Sequence, residues 1–276
     1  MNKKNRTILA LTLAGSLAAI AAPALSQEHQ VAPPKLSWSF AGPFGKYDEA
    51  QLQRGFKIFR EVCANCHSMN LLSFRNLADA GGPGFSAAQV AAVAADYKVK
   101  DLDDKGDQVD RAGRPADHFP SPFANELAAK ATHGVAPPDM STLAKARTYS
   151  RGFPWFLFDM VTQYQEQGPD YIAALLKGYE AAPKDFKLPS GGNYNTYFPG
   201  HVIAMPPPLQ NGQVTFDDGS PQTLEQYSKD ISAFLMWAAE PSLTARKRIG
   251  FQVMLFLIVL AGLMYFTKKK VWSALH

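Results

Sequence analysis

The sequence has very little cysteine, no internal repeat and few strand-like segments. Two cysteines in 276 residues exclude a disulfide framework and a four-cysteine zinc site. A mean hydropathy of −0.17 excludes a protein that crosses a membrane many times. Charged residues make up 19% of the chain and aromatic residues 12%, which excludes a disordered chain. The sequence therefore predicts a folded protein that is long enough to bury a core.

The net charge of +4 conceals an uneven distribution of charge along the chain. Residues 1–26 hold three cations and residues 241–276 hold six, and neither segment contains an acid. Residues 27–240 therefore carry 19 cations against all 24 acids. An acidic body argues against nucleic-acid binding and favours a basic protein partner.

The N-terminal segment has the pattern of a secretory signal peptide. Three cations precede an apolar stretch over residues 8–22, which is too short to span a bilayer, and Ala24-Leu25-Ser26 follows as a small-residue cleavage site. We predict a signal peptide over residues 1–26, with the mature chain starting at Gln27. The alternative is an uncleaved N-terminal anchor.

A second apolar segment lies near the C-terminus. Residues 249–267 contain no charge, and 19 helical residues extend roughly 28 Å, close to the hydrocarbon thickness of a bilayer. We predict a transmembrane anchor there, preceded by a basic linker over 241–248. Both flanks are basic, so the signal peptide must set the orientation. It places the body, residues 27–240, in the bacterial periplasm and the tail, residues 268–276, in the cytoplasm.

The body is predicted to be mainly α-helical with long loops. Asp48 and Thr223 are good N-caps, each with a glutamine three residues later. Apolar residues recur on one face of the helix that Asp48 begins. Residues 98–122 are rich in Asp, Gly and Pro and predict a surface loop, and Val214–Phe216 is the best strand candidate. Further helices are predicted over residues 86–97, 124–132, 141–151, 154–165 and 169–179.

The most informative motif is Cys63-Ala64-Asn65-Cys66-His67, because C-x-x-C-H is the attachment site of c-type haem. Two thiols must reach two vinyl groups on one porphyrin edge, and the histidine must bring its imidazole beneath the iron. A helical turn places all three side chains on one side of the ring. The alternatives are a plain disulfide and a membrane-tethered thiol–disulfide oxidoreductase that uses Cys63 and Cys66.

The sixth ligand of such a haem iron is open at this stage. Met205 is the favoured candidate, because the three prolines after it stiffen its loop. Met140 remains possible, and His133 or His201 would give a bis-histidine haem. A thioether ligand raises the reduction potential and fills the coordination sphere, so it would indicate electron transfer and not catalysis. Three other methionines are assigned to the core or are too close to His67: Met69, Met160 and Met236.

Five blocks of sequence resemble the cytochrome c1 family, the haem subunits of the cytochrome bc1 complex. The first runs from Arg54 to Met69 and contains the C-x-x-C-H motif. The other blocks follow in order as Pro137-Pro138-Asp139-Met140-Ser141 with Ala146-Arg147, Tyr197-Phe198-Pro199-Gly200 with Ile203-Ala204-Met205-Pro206-Pro207, Phe234-Leu235-Met236-Trp237-Ala238-Ala239-Glu240-Pro241, and Arg246-Lys247-Arg248. The resemblance covers essentially the mature chain.

The resemblance implies a cytochrome c-like haem domain with one covalently bound haem c. It implies thioether bonds at Cys63 and Cys66, axial ligands at His67 and Met205, and haem contacts from Pro138 (packing) and Arg147 (propionate).

It also implies a set of partners in a dimeric membrane complex. These are cytochrome b, a Rieske iron–sulfur protein that donates the electron, a soluble c-type cytochrome that receives it, and membrane lipid. The isolated chain performs no bond-making step. A third interpretation keeps the haem and makes the chain either a subunit of a terminal oxidase or a free-standing anchored cytochrome. The sequence lacks the extra cysteine pair that some bacterial relatives carry near the methionine loop, and its segment 151–168 is more aromatic than in mitochondrial relatives.

Overall fold

The computed structural model describes residues 30–149, 151–162 and 167–273, so the predicted signal peptide lies outside the described residues. The mainly helical fold is confirmed. The helices are α1 Glu49–Glu61, α2 Ala87–Ala95, α3 Glu126–His133, α4 Leu143–Ala146, α5 Trp155–Thr162, α6 Gln167–Lys177, α7 Leu224–Ala239 and α8 Leu243–Trp272. Two antiparallel pairs of strands accompany them: β1 Lys98–Leu102 with β2 Gln108–Ala112, and β3 Asn193–Tyr194 with β4 Val202–Ile203.

Both predicted N-caps are confirmed. The carboxylate of Asp48 accepts the backbone N–H of Gln51 at 2.8 Å, and the hydroxyl of Thr223 accepts that of Gln226 at 3.3 Å. Each bond satisfies one of the unpaired N–H groups at a helix start. The two capped helices, α1 and α7, form the centre of the core.

α1 crosses α7 at Gly55, where the two backbones come unusually close. A Cβ atom at Gly55 would lie 2.3 Å from the carbonyl oxygen of Asp230 and 2.5 Å from the Cβ of Phe234. The side chain of Asp230 is fully buried at this crossing and accepts hydrogen bonds from Arg54 Nε at 2.7 Å and Gln51 Nε2 at 3.1 Å. The buried charge is therefore paired.

Two local predictions were wrong. Residues 98–112 form the β1–β2 hairpin and not a loop, with Lys98 opposite Ala112. Arg111 on β2 bonds to Asp101 on β1 and to Asp117 beyond the hairpin. These ion pairs stabilise the hairpin, whose sequence has no regular alternation of apolar residues. Val214–Phe216 is not a strand, because the hydroxyl of Tyr227 on α7 bonds to both the N–H and the carbonyl of Val214.

α8 is tied to the body at its start and then leaves it. Leu243 is buried, the ammonium of Lys247 donates to the carbonyls of Phe40 and Gly42, and Arg246 pairs with Glu240 at 2.6 Å. Residues 243–248 are helical and continue without a break into the apolar segment 249–267. The 30 residues of α8 extend about 45 Å, and the apolar window is exposed, so α8 is long and apolar enough to cross a membrane.

Candidate haem site

A single tight turn after α1 carries Cys63, Cys66 and His67. A short 3₁₀ helix, Cys63–Asn65, follows α1 directly. The carbonyl of Cys63 accepts the N–H of Cys66 at 3.1 Å and that of His67 at 2.9 Å. Both cysteines are half-buried. The compact turn that the motif predicted is therefore present, and it positions two thiols and one imidazole within five residues.

The ring of His67 is oriented by the chain itself. Its Nδ1 lies 2.8 Å from the carbonyl oxygen of Pro138. Because a carbonyl can only accept, Nδ1 carries the proton and Nε2 keeps a lone pair for a metal. Burial lowers the pKa of His67, the carbonyl of Pro138 opposes this, and the nearby charge of His133 lowers it further. The lowered pKa favours the neutral ring, which is the form that binds iron.

Asp139 joins the proline block to the segment that follows the motif. Its carboxylate accepts the hydroxyl of Ser68 and the N–H of Asn70, each at 2.8 Å. The N–H of Met140 donates to the carbonyl of Ser68 at 2.8 Å. Sequence analysis gave Asp139 no role. The bonds of Asp139 join residues about 70 positions apart, so no local pattern predicts them. The only signal in the sequence was its position between Pro138 and Met140.

Met205 lies half-buried in the proline loop, where its backbone is held from two sides. Its carbonyl accepts the hydroxyl of Tyr179 at 3.1 Å and the side-chain N–H of Asn193 at 3.4 Å. These bonds restrict the loop beyond the stiffness that its prolines provide. Sequence analysis missed both Tyr179 and Asn193.

The approach to this loop is organised by Asn195, which is fully buried. Its amide N–H₂ donates to the carbonyl of Leu175 at 2.8 Å, which joins the loop to α6. Its amide oxygen accepts the N–H groups of Tyr197 at 3.0 Å and Phe198 at 3.2 Å. A buried amide with these partners fixes the backbone path ahead of Met205.

The remaining candidate ligands have other contacts. Met140 is buried in the core, as are Met69 and Met236. His201 stacks on Tyr194 at 5.5 Å, and its Nδ1 lies 3.2 Å from the carbonyl of Asn195. His133 is exposed at the end of α3, with its ring against Phe123 at 5.3 Å. The choice of Met205 as the sixth ligand stays a prediction.

Arg147 ends α4 with its side chain exposed. Within the described part of the chain its guanidinium forms no ion pair, unlike Arg54, Arg60 and Arg111. An exposed guanidinium without an ion pair among the described residues can pair with a carboxylate from outside the chain.

The state of the thiols opposes redox catalysis by the cysteines themselves. Burial, reinforced by the nearby Cys66, raises the pKa of Cys63 to about 12. A thiol–disulfide oxidoreductase needs a cysteine of lowered pKa, usually at a helix N-terminus, whereas this pair follows the C-terminal end of α1. Two thiols and an imidazole whose Nδ1 is hydrogen-bonded to a carbonyl form a donor set that fits a c-type haem.

Comparison with known proteins agrees with this donor set. A model described as the Cytochrome C1 family matches residues 38–275. The chain belongs to the cytochrome c1 family. It is 51% identical to the cytochrome c1 of Blastochloris viridis over 275 residues, which cover 99% of this chain and 97% of that protein. It is 43% identical to the cytochrome c1 of Rhodospirillum rubrum over 271 residues, which cover 95% and 96%.

A further relative is longer than this chain. The chain is 63% identical over 247 residues to a protein named cytochrome b/c1 from Bradyrhizobium diazoefficiens, covering 88% of this chain and 36% of that protein. Cytochrome c1 is the haem subunit of the cytochrome bc1 complex, so the chain is an electron-transfer protein with a c-type haem, and it is associated with a membrane. The predicted family, fold class and haem cofactor are thereby confirmed.

Proposed function

We propose that this chain receives an electron from a Rieske iron–sulfur protein and passes it to a soluble c-type cytochrome. Cys63 and Cys66 would hold the haem covalently, and His67 and Met205 would ligate its iron. The bound haem supplies an iron that gains and loses one electron at a time. The observation that carries the proposal is the imidazole of His67, fixed by the carbonyl of Pro138 at 2.8 Å beside the two cysteines.

The residues of the chain hold the site in one geometry, which suits electron transfer. Pro138 fixes the tautomer of His67 and increases its basicity as a ligand. Tyr179 and Asn193 hold the backbone of Met205. With His67 and Met205 both bound to the iron, no position would be left there for a substrate, so this chain would perform no bond-making step. Arg147 would pair with a haem propionate.

The proposed partners follow from charge and from the anchor. Residues 27–240 carry five more acids than cations, which suits a basic acceptor cytochrome. α8 anchors the chain beside cytochrome b in a dimeric complex. Residues 1–26 act as a signal peptide, the haem domain over 27–240 lies on the periplasmic side, and the tail over 268–276 lies in the cytoplasm.

A redox-titrated optical spectrum of the membrane-extracted protein, with a pyridine haemochrome assay, tests the site. We expect one covalent haem c at a high potential that is typical of a thioether ligand. A low potential would indicate that His133 or His201, and not Met205, is the sixth ligand of the iron. Absence of haem would contradict the proposal entirely and leave Cys63 and Cys66 as a dithiol.

Purification of the tagged full-length chain from native membranes tests the partners. We expect cytochrome b and a Rieske protein to purify with it, and quinol-dependent reduction of the haem to require both. Recovery with the subunits of a terminal oxidase instead would contradict the proposed place of this chain in electron transfer.

A further inference from the structure

A groove of about 680 Å³ lies where α8 leaves the body. One wall is the loop over residues 43–47, and the other is the first turns of α8. Pockets of a few hundred cubic ångströms or more are large enough to hold a small ligand. The haem site uses none of these residues.

The position of the groove matches the edge of the membrane. Arg248 lines it and is the last charged residue before the apolar segment 249–267, and Phe251 lines it from inside that segment. The ring of Phe44 packs edge-on against that of Phe251 at 5.4 Å. The groove therefore joins a polar level to an apolar level, as the headgroup region of a bilayer does.

The charge in the groove is positive. Its lining contains Lys46, Lys247 and Arg248 against one acid, Glu49. Lys247 bonds to backbone carbonyls of the adjoining loop, whereas Lys46 and Arg248 are exposed and form no ion pair within the described residues. Cations beside a membrane attract anionic lipid, with an effect that adds for each Lys or Arg.

An unpaired hydroxyl lies in the same wall. The Oγ1 of Thr244 is buried and has no hydrogen-bond partner among the described residues, and Thr244 lines the groove. A buried polar atom without a partner is uncommon and requires an explanation. A ligand with phosphate or ester oxygens would supply the missing bond.

We infer that this groove binds one anionic phospholipid. Lys46 and Arg248 bind its phosphate, Thr244 donates to a headgroup or ester oxygen, and an acyl chain lies along Phe44 and Phe251. A lipid fits better than a protein segment because the cations stand at the polar end and the aromatic rings at the membrane end. The inference depends on the anchor and not on the haem.

Native mass spectrometry of the detergent-purified full-length holoprotein tests the inference, with phosphatidylglycerol and phosphatidylcholine as probes. We expect the wild-type chain to retain phosphatidylglycerol in preference to phosphatidylcholine. The double variant Lys46→Gln, Arg248→Gln should reduce that preference about tenfold. Lys105→Gln, Lys184→Gln is the matched control, because it removes the same charge from exposed positions away from the anchor and should change nothing.

A photoactivatable phosphatidylglycerol gives an independent measurement of position. Labelling should map to residues 43–47 and 244–252, and inorganic phosphate should not displace it. Equal retention of both lipids, an equal effect of both double variants, or labelling confined to residues 268–272 would overturn the inference. Displacement by inorganic phosphate would show a free-anion site in place of a lipid site. The haem spectrum should be the same in all variants, which separates this test from that of the proposed function.

Discussion

The orientation of His67 depends on a residue that lies 71 positions later in the chain, Pro138. The backbone of Pro138 is in turn held by its neighbour Asp139, through bonds to Ser68 and Asn70. The ligand geometry is therefore a property of two segments fastened together. It cannot be assigned to the C-x-x-C-H motif alone.

Replacement of Asp139 by Asn should loosen this connection. The new amide would direct an N–H₂ group at donors that now bond to a carboxylate, so at least one half-buried N–H or hydroxyl loses its partner. We expect the free energy of unfolding to fall by about 1–3 kcal/mol, measured by denaturant unfolding. Asp185→Asn is the control, since Asp185 is exposed, and it should unfold as the wild type does. Equal stability of the two variants would show that Asp139 does not fasten the segments.

Replacement of Met205 by Leu should lower the reduction potential and leave the iron open to carbon monoxide, because leucine has no ligand atom. Redox titration and a carbon monoxide difference spectrum measure both effects. Met140→Leu is the matched control and should keep a normal potential, because Met140 is a buried core residue and leucine conserves its volume. An unchanged potential in Met205→Leu would remove Met205 from the coordination sphere.

At the residue scale, the sequence predicted correctly those features of the site that depend on residues close together in the chain. The spacing of Cys63, Cys66 and His67 predicts one turn, and the structure has that turn. Tyr179 and Asn193 were missed because they act through contacts with Met205 that are 26 and 12 residues apart in sequence. Neither residue type nor local pattern distinguishes such a tyrosine from any other half-buried one.

At the scale of elements, the crossing of α1 and α7 requires a residue without a side chain at Gly55. Gly55→Ala would place a Cβ 2.3 Å from the carbonyl oxygen of Asp230, and backbone cannot move aside as a flexible side chain can. We expect a loss of about 1–3 kcal/mol in the free energy of unfolding, measured in denaturant. Gly250→Ala is the control, because no atom lies within 4 Å of its added Cβ. A Gly55→Ala variant as stable as the control would contradict this close approach.

The β1–β2 hairpin should respond to acid. The hydrogen bond from Arg111 is the main reason why the pKa of Asp117 is lowered to about 2 from an ordinary value of 3.8. A carboxyl group with a lowered folded-state pKa stabilises the fold above pH 3.8 and loses that contribution as the pH falls towards 2. The protection factors of the hairpin amides in hydrogen exchange, which correct for the intrinsic effect of pH, should therefore fall over this range.

Asp117→Asn removes the titrating group and should make hairpin exchange less dependent on pH in this interval, at a lower overall protection. Asp104→Asn is the control, because the carboxylate of Asp104 accepts no hydrogen bond within the described residues. If both variants keep the wild-type acid response, the ion pair with Arg111 does not support the hairpin.

The elements that sequence analysis predicted correctly have local signals, and the errors have non-local causes. Asp48 and Thr223 predict the starts of α1 and α7, because each caps its helix through a bond to a residue three positions later. The hairpin was missed because its strands contain charged residues and show no regular apolar alternation. Ion pairs from Arg111 to Asp101 and Asp117 stabilise it instead. Val214 reads as a strand residue, but its backbone pairs with the hydroxyl of Tyr227 and not with another strand.

At the scale of the whole molecule, charge and anchor divide the chain into parts with different surroundings. The body over residues 27–240 has 19 cations and 24 acids, whereas all six cations after residue 240 flank the apolar segment of α8. Cations near a bilayer hold the anchor at its level, and an acidic body remains free to attract a basic partner. This division could be predicted from the sequence, because it depends on composition and not on packing.

The acidic body should make the reaction with a basic cytochrome c sensitive to salt. Opposite charges raise the encounter rate at low ionic strength, and screening at physiological salt removes most of that attraction. Stopped-flow oxidation of the reduced protein should therefore slow by about tenfold or more between low and physiological ionic strength. An acidic c-type cytochrome is the control, and its rate should rise with salt because screening then removes repulsion. If both acceptors responded to salt in the same direction, net charge would not direct the encounter, and the docking surface would have to be found from local contacts near the haem.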